Sequence, residues 1–285
     1  MARKKKAFTT GIALAVLSSF LAILNGCQLS EKDTLEVTLL KVGKADAIVV
    51  QAQAQTMVID TGEDDDGAEL VSFLKSQGCE AVDTLIITHF DKDHVGGADT
   101  LVESMEIGQV LLPDYQGTST EYQKFISALA ERNIAPQRLT ASLEFALGEA
   151  SVLVEPPLSY AVENDADDAD NDFSLITTIV HGENRLLFTG DAEERRLREW
   201  LSGENAQNCV FIKIPHHGKY DEALETLLET VKPEYAVICS SAKNPADQET
   251  LELLTQHQVS VFQTKDGDII VQSNGKQLEI SQQKQ

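Results

Sequence analysis

Apolar and polar positions along the chain follow two periods, and the switch from one to the other marks strands and helices. Residues 37–42, 47–52 and 56–60 are short runs rich in β-branched side chains, separated by polar turns, and they predict three strands. From 68 to 77 the spacing lengthens. Leu70, Val71 and Leu74 share one face and Gly78 follows, which predicts a helix and its stop. Residues 84–88 carry Leu85-Ile86-Ile87, an unbroken apolar run suited to a strand covered on both faces, and the run leads into His89. The second half repeats this rhythm. Residues 173–180 and 185–189 predict strands around the turn His181-Gly182-Glu183-Asn184, and a helix is expected from Asp191 to about Leu201. Residues 210–214 predict a buried strand ending at His216-His217-Gly218. Another strand at 235–239, a helix at 248–256 and a β-rich tail at 259–280 complete the pattern. Such alternation predicts a layered α/β fold. No internal repeat or low-complexity linker divides it, so one domain is expected. The acidic stretches 64–66 and 164–172 predict solvated loops, and His181 and His257 are expected to face solvent without chemistry.

The first residues have a different character. Arg3, Lys4, Lys5 and Lys6 precede an uncharged apolar stretch from 7 to 24, and Leu24-Asn25-Gly26-Cys27 follows. A basic start, an apolar middle and small residues at the exit describe an export signal. The apolar stretch is also about long enough to span a bilayer as a retained anchor. Leu-x-Gly-Cys resembles the lipobox of bacterial lipoproteins, which implies acylation of Cys27 as the new N-terminus. Either anchor puts the remainder outside the cytoplasm. The expected organisation is a signal over 1–26, a tether over 27–35 and one domain over 36–285.

Loss of the four N-terminal cations takes the net charge from −23 to −27. Binding an extended polyanion rests on clustered Lys and Arg, so this balance argues against a long DNA-gripping face. At 42% hydrophobic residues the chain can bury a core without staples. Cys79, Cys209 and Cys239 show no pairing pattern, and Cys209 and Cys239 border apolar runs as small core residues do.

The chemistry concentrates in Thr88-His89-Phe90-Asp91-Lys92-Asp93-His94-Val95-Gly96-Gly97. His89, Asp91, Asp93 and His94 are metal-ligand types crowded after a buried strand, and a loop at a strand end turns alternate side chains into one cleft. The Gly-Gly that follows permits a close chain reversal. This segment resembles the His-x-His-x-Asp-His signature of the metallo-β-lactamase superfamily, with Asp91 at the place of the second His. Its form, His-x-Asp-x-Asp-His-x-Gly-Gly, is similar to the extracellular metallo-hydrolase domain of ComEC competence proteins and their stand-alone relatives. Val42-Gly43-Lys44-Ala45-Asp46-Ala47-Ile48, Ile59-Asp60-Thr61-Gly62, Asn171-Asp172-Phe173-Ser174-Leu175, Phe188-Thr189-Gly190-Asp191 and Lys213-Ile214-Pro215-His216-His217-Gly218 resemble further motifs of that family in order. The family departs from this chain at Asn244-Pro245, where it often has His-Pro. It also has a third-motif histidine, to which Asn171 is the nearest equivalent here.

The resemblance implies an αββα sandwich with the site at one edge between the sheets. It implies two divalent ions, zinc or manganese, and hydrolysis by a metal-bound hydroxide without a Ser or Cys nucleophile. His89 and Asp91 are expected on one ion, Asp93 and His94 on the other, and Asp191 as a bridge, because a carboxylate has two oxygens to share. Asp191 otherwise reads as the cap of the following helix. One of His216 and His217 is expected to bind metal or donate to a transition-state oxygen and the other to orient it, with His216 favoured as ligand. Asp93, His216 and His217 are the expected catalytic residues, while Asp60 and Asn171 are expected to support the ligands. Asp91 in place of His enriches the site in oxygen and tilts it modestly from zinc toward manganese or iron.

A phosphodiester substrate follows from the resemblance, and a small or wall-bound one suits an anchored acidic protein better than DNA. The alternatives are a nuclease acting on DNA during uptake, or a non-catalytic metal-binding surface protein. Membrane contact is expected through the lipid anchor. Replacing Cys27 by Ser is therefore expected to abolish lipid attachment in the native host and release the chain from the membrane fraction. Metabolic labelling with a fatty acid checks this, and a processed, membrane-bound Cys27→Ser protein would refute it.

Overall fold

The computed structural model describes residues 34–161 and 170–283. The signal, Cys27, most of the tether and the greater part of the acidic stretch 164–172 lie outside the described residues. The first half comprises β1 (Leu35–Leu39), β2 (Ala47–Ala52), β3 (Gln55–Thr61), α1 (Gly67–Ser76), β4 (Ala81–Ile86), α2 (Lys92–Val95), α3 (Ala98–Ser104), β5 (Glu106–Pro113), α4 (Thr120–Glu131) and β6 (Gln137–Leu139). The second comprises β7 (Leu143–Leu147), β8 (Ala150–Glu155), β9 (Ile176–His181), β10 (Asn184–Phe188), α5 (Glu194–Leu201), β11 (Phe211–Lys213), α6 (Ala223–Val231), β12 (Tyr235–Ile238), α7 (Gln248–Gln256), β13 (Ser260–Gln263), β14 (Asp268–Ser273) and β15 (Leu278–Gln283).

The strands form two sheets, in the orders β15-β14-β1-β2-β3-β4-β5-β6 and β13-β12-β11-β10-β9-β8-β7. Successive strand residues point to opposite faces, and here both faces are apolar. Val49 and Val58 turn toward Leu70, Leu74, Leu101 and Phe125 of α1, α3 and α4. Their neighbours Ile48, Val50, Met57 and Ile59 turn the other way, into a core shared with Leu186, Phe188, Phe211 and Val237 of the second sheet. The outer face of that sheet, with Leu187 and Ile212, is covered by Leu197, Trp200, Leu224, Leu227 and Leu254 of α5, α6 and α7. The result is the expected αββα sandwich.

Strand direction fixes where the site falls. β3, β4, β5 and β6 run parallel to one another, as do β10, β11, β12 and β13. Parallel strands joined by covering helices leave their carboxyl ends free, and loops at those ends are where α/β sheets place ligands. Asp60, His89, Asp191 and His217 all lie at or just beyond the ends of β3, β4, β10 and β11.

Several expectations change. Leu35 belongs to β1 rather than to a tether, because it pairs with Ala52 and Ser273 and is fully buried. Asn171 and Asp172 do not sit in a solvated loop. Asn171 is buried, and Asp172 accepts from Arg195 Nε at 2.9 Å and from the Arg196 backbone N–H at 3.2 Å. His181 does not face solvent: the β9–β10 hairpin packs on the β14–β15 hairpin, and His181 Nδ1 lies 2.8 Å from Ser273 Oγ. The three cysteines are free, with Cys209 and Cys239 buried.

The shared core between the sheets holds both halves in register. Leu186→Ala removes a fully buried side chain from it and is expected to cost about 3 kcal/mol. Thermal melting of the metal-free protein should shift down by roughly 6–12 °C. Leu158→Ala, at a side chain 87% exposed, is expected to leave the melting temperature within about 2 °C.

Candidate metal centre

The ligand loop leaves β4 at Ile86, and the next residues are fixed by Asp60 at the end of β3. Asp60 Oδ1 accepts the Thr88 backbone N–H at 2.7 Å, and Oδ2 accepts the Thr88 hydroxyl at 2.7 Å. Oδ2 also lies 2.8 Å from His94 Nδ1. His94 follows on α2, whose exit passes so close to the first strands that glycine is required. A Cβ on Gly97 would strike the Thr61 carbonyl and the Gly67 backbone. Gly96 is helical and Gly97 has φ −84° and ψ 2°; neither has a positive φ, so they serve close approach rather than a left-handed turn.

These contacts decide which imidazole nitrogen faces the cleft. The Thr88 hydroxyl has one proton and gives it to Asp60, so His89 Nδ1, 3.0 Å from Thr88 Oγ1, must be the donor of that pair. His94 Nδ1 faces a carboxylate and is likewise a donor. His217 Nδ1 lies 3.2 Å from the Cys239 carbonyl, which only accepts. When each ring is neutral, Nε2 is therefore the nitrogen that carries the lone pair. The Nε2 atoms of His89, His94 and His217 are buried and make no hydrogen bond. Lone pairs held inward by outer hydrogen bonds are how metal-binding histidines are oriented.

The carboxylates converge on the same place. Asp191 Oδ2 lies 3.3 Å from His94 Nε2 and 3.0 Å from His217 Nε2, without the alignment of a hydrogen bond. Asp93 Oδ2 is 3.4 Å from His217 Nε2, and Asp91 Oδ2 is 3.6 Å from His89 Nε2. His89, His94 and Asp191 form one group with metal-ligand spacing, and Asp93, His94 and His217 form another. Asp46, Asp60 and His94 also fall within such spacing. That third group is a support instead, because Asp60 is occupied by Thr88 and His94, and Asp46 by Lys213.

Lys213 was not foreseen as a site residue, and neither was Asp46. Lys213 is fully buried on β11, with Nζ 2.6 Å from Asp46 Oδ2, 3.2 Å from Asp191 Oδ1 and 2.9 Å from the Gly190 carbonyl. Burial opposes its charge, but the two carboxylates raise its pKa further above the ordinary lysine value. Its hold on Oδ1 leaves Oδ2 as the Asp191 oxygen turned toward His94 and His217. The signals were present in the sequence as a lysine inside an apolar strand and an aspartate between Ala45 and Ala47, and both are unusual at buried positions.

The charge does not balance within the protein. Asp46, Asp60 and Asp191 are buried, with Asp93 largely so, and Lys213 is the one lysine among these buried groups. Burial would raise the Asp191 pKa, yet His217, His94 and Lys213 hold it well below the usual carboxylate range. Burial would likewise lower that of His94, yet Asp191 and Asp60 raise it well above the usual imidazole value. The carboxylates thus demand positive charge at the point where the inward lone pairs meet. A divalent cation supplies that charge, so the donor set fits a metal.

The two neighbouring histidines divide. His217 is buried and turned to the carboxylates, while His216 Nδ1 pairs with Glu193 Oε1 at 2.8 Å on the cleft wall. The structure thus turns His217, and not the expected His216, toward the group with metal-ligand spacing. The divergence comes from the backbone, since His216 and His217 both have positive φ, at 44° and 53°. Left-handed backbone costs a non-glycine residue roughly 1–2 kcal/mol, and such strain collects at functional sites. Asp60, with φ of 58°, is a third case. Asp191 is not a helix cap, because α5 begins at Glu194 after Glu193 and the Asp191 N–H donates to Ser174 Oγ at 3.3 Å. Asn171 Oδ1 is buried without a hydrogen-bond partner, whereas Asn244 sits in an exposed turn.

Residues 40–242 match the Metallo-beta-lactamase superfamily, and the chain belongs to it. It is 25% identical over 277 residues to ComE operon protein 3 of Bacillus subtilis, covering 90% of this chain and 34% of that protein. It is 26% identical over 260 residues to Recombination protein 2 of Haemophilus influenzae, covering 88% of this chain and 30% of that protein. The chain thus spans about a third of the length of the curated relatives it matches. The metallo-beta-lactamase fold protein YhfI from Bacillus subtilis superposes with a TM-score of 0.57 at 10% identity, over 84% of this chain and 100% of that one.

Exchange at the two histidines separates their roles. His217→Ala is expected to lose metal on dialysis, while His216→Ala keeps the wild-type equivalents. Asp60→Asn, which leaves His94 without its anionic acceptor, should weaken metal affinity by roughly 10–100-fold. Metal analysis after equilibrium dialysis reads all three, and equal metal loss in both histidine variants would contradict the assignment.

Proposed function

We propose that this protein is a metal-dependent hydrolase that cleaves phosphodiesters outside the cytoplasm, held to the membrane by lipid on Cys27. The observation that carries the reading is the convergence of three inward Nε2 lone pairs on the free oxygens of Asp191 and Asp93. His89, Asp91 and Asp191 would hold one divalent ion, and Asp93, His94, His217 and Asp191 the other. Ions held there would supply water activation and offset the charge building on the ester. Zinc and manganese both suit the set, and Asp91 shifts the preference toward manganese.

The chain's own residues do the rest. Lys213 fixes Asp191 through Oδ1 and keeps Oδ2 aimed at the cleft. Asp60 and Thr88 hold His89 and His94 in the ligating tautomer. Lys44, 3.8 Å from Asp93 and about one-third exposed, faces incoming anionic oxygens. His216 lines the cleft with Nδ1 against Glu193, which is held at about 2 first by that contact. From there the ring is placed to give a hydrogen bond or a proton to the leaving oxygen. Relatives named for competence and recombination support a phosphodiester substrate. The net charge of −23 favours a short or non-duplex one over an extended DNA duplex.

The test is hydrolysis by metal-stripped protein resupplied with manganese or zinc. The panel comprises bis-p-nitrophenyl phosphate, single-stranded DNA, a polyol-phosphate oligomer, a lactone and a β-lactam. Cleavage of the last two alone would overturn the reading. Asp191→Asn keeps size but removes a buried anionic oxygen, and in variant protein shown by circular dichroism to be folded, turnover should fall roughly 10³-fold with loss of bound metal. Wild-type metal content with near wild-type turnover in that variant would end the two-ion proposal.

A further inference from the structure

The cleft changes sign across the metal centre. On one side is a cavity of about 500 Å³ in whose wall Asp91, Asp93, Glu121, Asp170 and Asp191 outnumber Lys44, Lys92 and His216. On the other, beyond Lys44 and His216, a groove of about 470 Å³ is lined by Lys44, Lys219, Lys243 and the start of α7. Lys44 and His216 line both, so the groove is continuous with the site. Acidic residues outnumber basic ones by 46 to 23 in this chain. Three lysines facing one groove, with Asp247 the sole carboxylate among its lining residues, run against that background.

These lysines are available to a ligand. Lys243 is exposed and forms no ion pair among the described residues. Lys219 meets Glu193 at 3.1 Å with its side chain 55% exposed, and an exposed pair of this kind is worth no more than about 1 kcal/mol, so an incoming anion competes for it. The start of α7 adds to the same potential. Its N-cap Asp247 makes no capping hydrogen bond and instead accepts the Tyr220 N–H at 2.9 Å. The first N–H groups of the helix are therefore not taken up by that side chain.

We propose that this groove is a subsite for a second phosphate, the one next to the scissile phosphodiester. The substrate is then a chain of consecutive phosphates and not an isolated diester. A nucleic-acid strand and a polyol-phosphate chain share that chemistry. The subsite holds one flanking charge, which reconciles polyanion recognition with a protein that is acidic elsewhere. The inference rests on the metallo-hydrolase reading for what occupies the centre, while its binding test is independent of turnover.

The experiment measures affinity by calorimetry, with the metal-loaded full chain. The probes are thymidine 3′,5′-bisphosphate against thymidine 3′-phosphate, and glycerol 1,3-bisphosphate against glycerol 3-phosphate. The bisphosphate of at least one pair is expected to bind about tenfold more tightly, and this ratio should fall toward one as salt screens the lysines. It should collapse to about one in the Lys219→Ala/Lys243→Ala double variant and persist in Lys75→Ala, an exposed lysine on α1 far along the chain from the groove. A preference confined to the nucleoside pair assigns the subsite to nucleic acid, and a preference in the glycerol pair assigns it to polyol phosphate. Equal affinities within both pairs, or a ratio that survives the double variant, overturn the proposal. Retained selectivity without hydrolysis of any ester would instead overturn the hydrolase reading alone.

Discussion

The ammonium of Lys213 is the point on which the site depends. It sits on the second sheet without access to water, and the group that neutralises it most closely, Asp46, comes from the loop leading into β2 of the first. Asp46 is itself tied to the ligand loop, since its N–H donates to the Asp93 carbonyl at 3.1 Å. One ion pair therefore links both sheets, the loop that carries Asp93, and Asp191. Removing a single member of such a buried set leaves an uncompensated charge, which costs about 3–5 kcal/mol. The arrangement stabilises a specific juxtaposition more than it stabilises the fold as a whole, because an apolar replacement of the full set would pack as well.

Around this point, orientation is achieved by hydrogen bonds made on the far side of each ligand. Asp60 receives three donors and so fixes Thr88, His89 and His94 together. The Cys239 carbonyl fixes His217, and Lys213 selects the oxygen that Asp191 presents. Each of these partners lies at a strand end or on a strand, where the backbone is held on both sides by neighbouring strands. The strained backbone at Asp60, His216 and His217 is retained because these contacts over-determine it.

The outer part of the cleft follows different rules. Asp91, Lys44 and His216 are partly exposed, and they face a cavity in which acidic and basic walls meet at the metal centre. Long-range repulsion from the acidic surface keeps extended polyanions away. Short-range attraction within the groove acts inside a Debye length of about 8–10 Å and is felt only by a group already in place. Net charge and local charge therefore speak to different steps: approach in the first case, seating in the second.

The sequence by itself determined the elements with strong periodicity and the ligand loop. Strand β2 and helix α7 fall where residue spacing put them, because each carries a clean pattern between turn residues. The stretch from α3 to β8, and α6, carried no assignment from the pattern, and there the order of sheets and helices is settled by packing. His89, Asp91, Asp93 and His94 were legible because proximity in sequence guarantees proximity in space. What only tertiary structure decided are the pairings across long separations. His217 rather than His216 faces the carboxylates because a left-handed backbone turns one ring inward and the other to Glu193. Asp46 and Lys213 join the site because two sheets meet there, and His181 is buried because two hairpins pack together. Residue type announces which groups can bind a cation. Only the closing of one sheet on the other, which strips away water and brings remote charges within a few ångströms, decides which of them must.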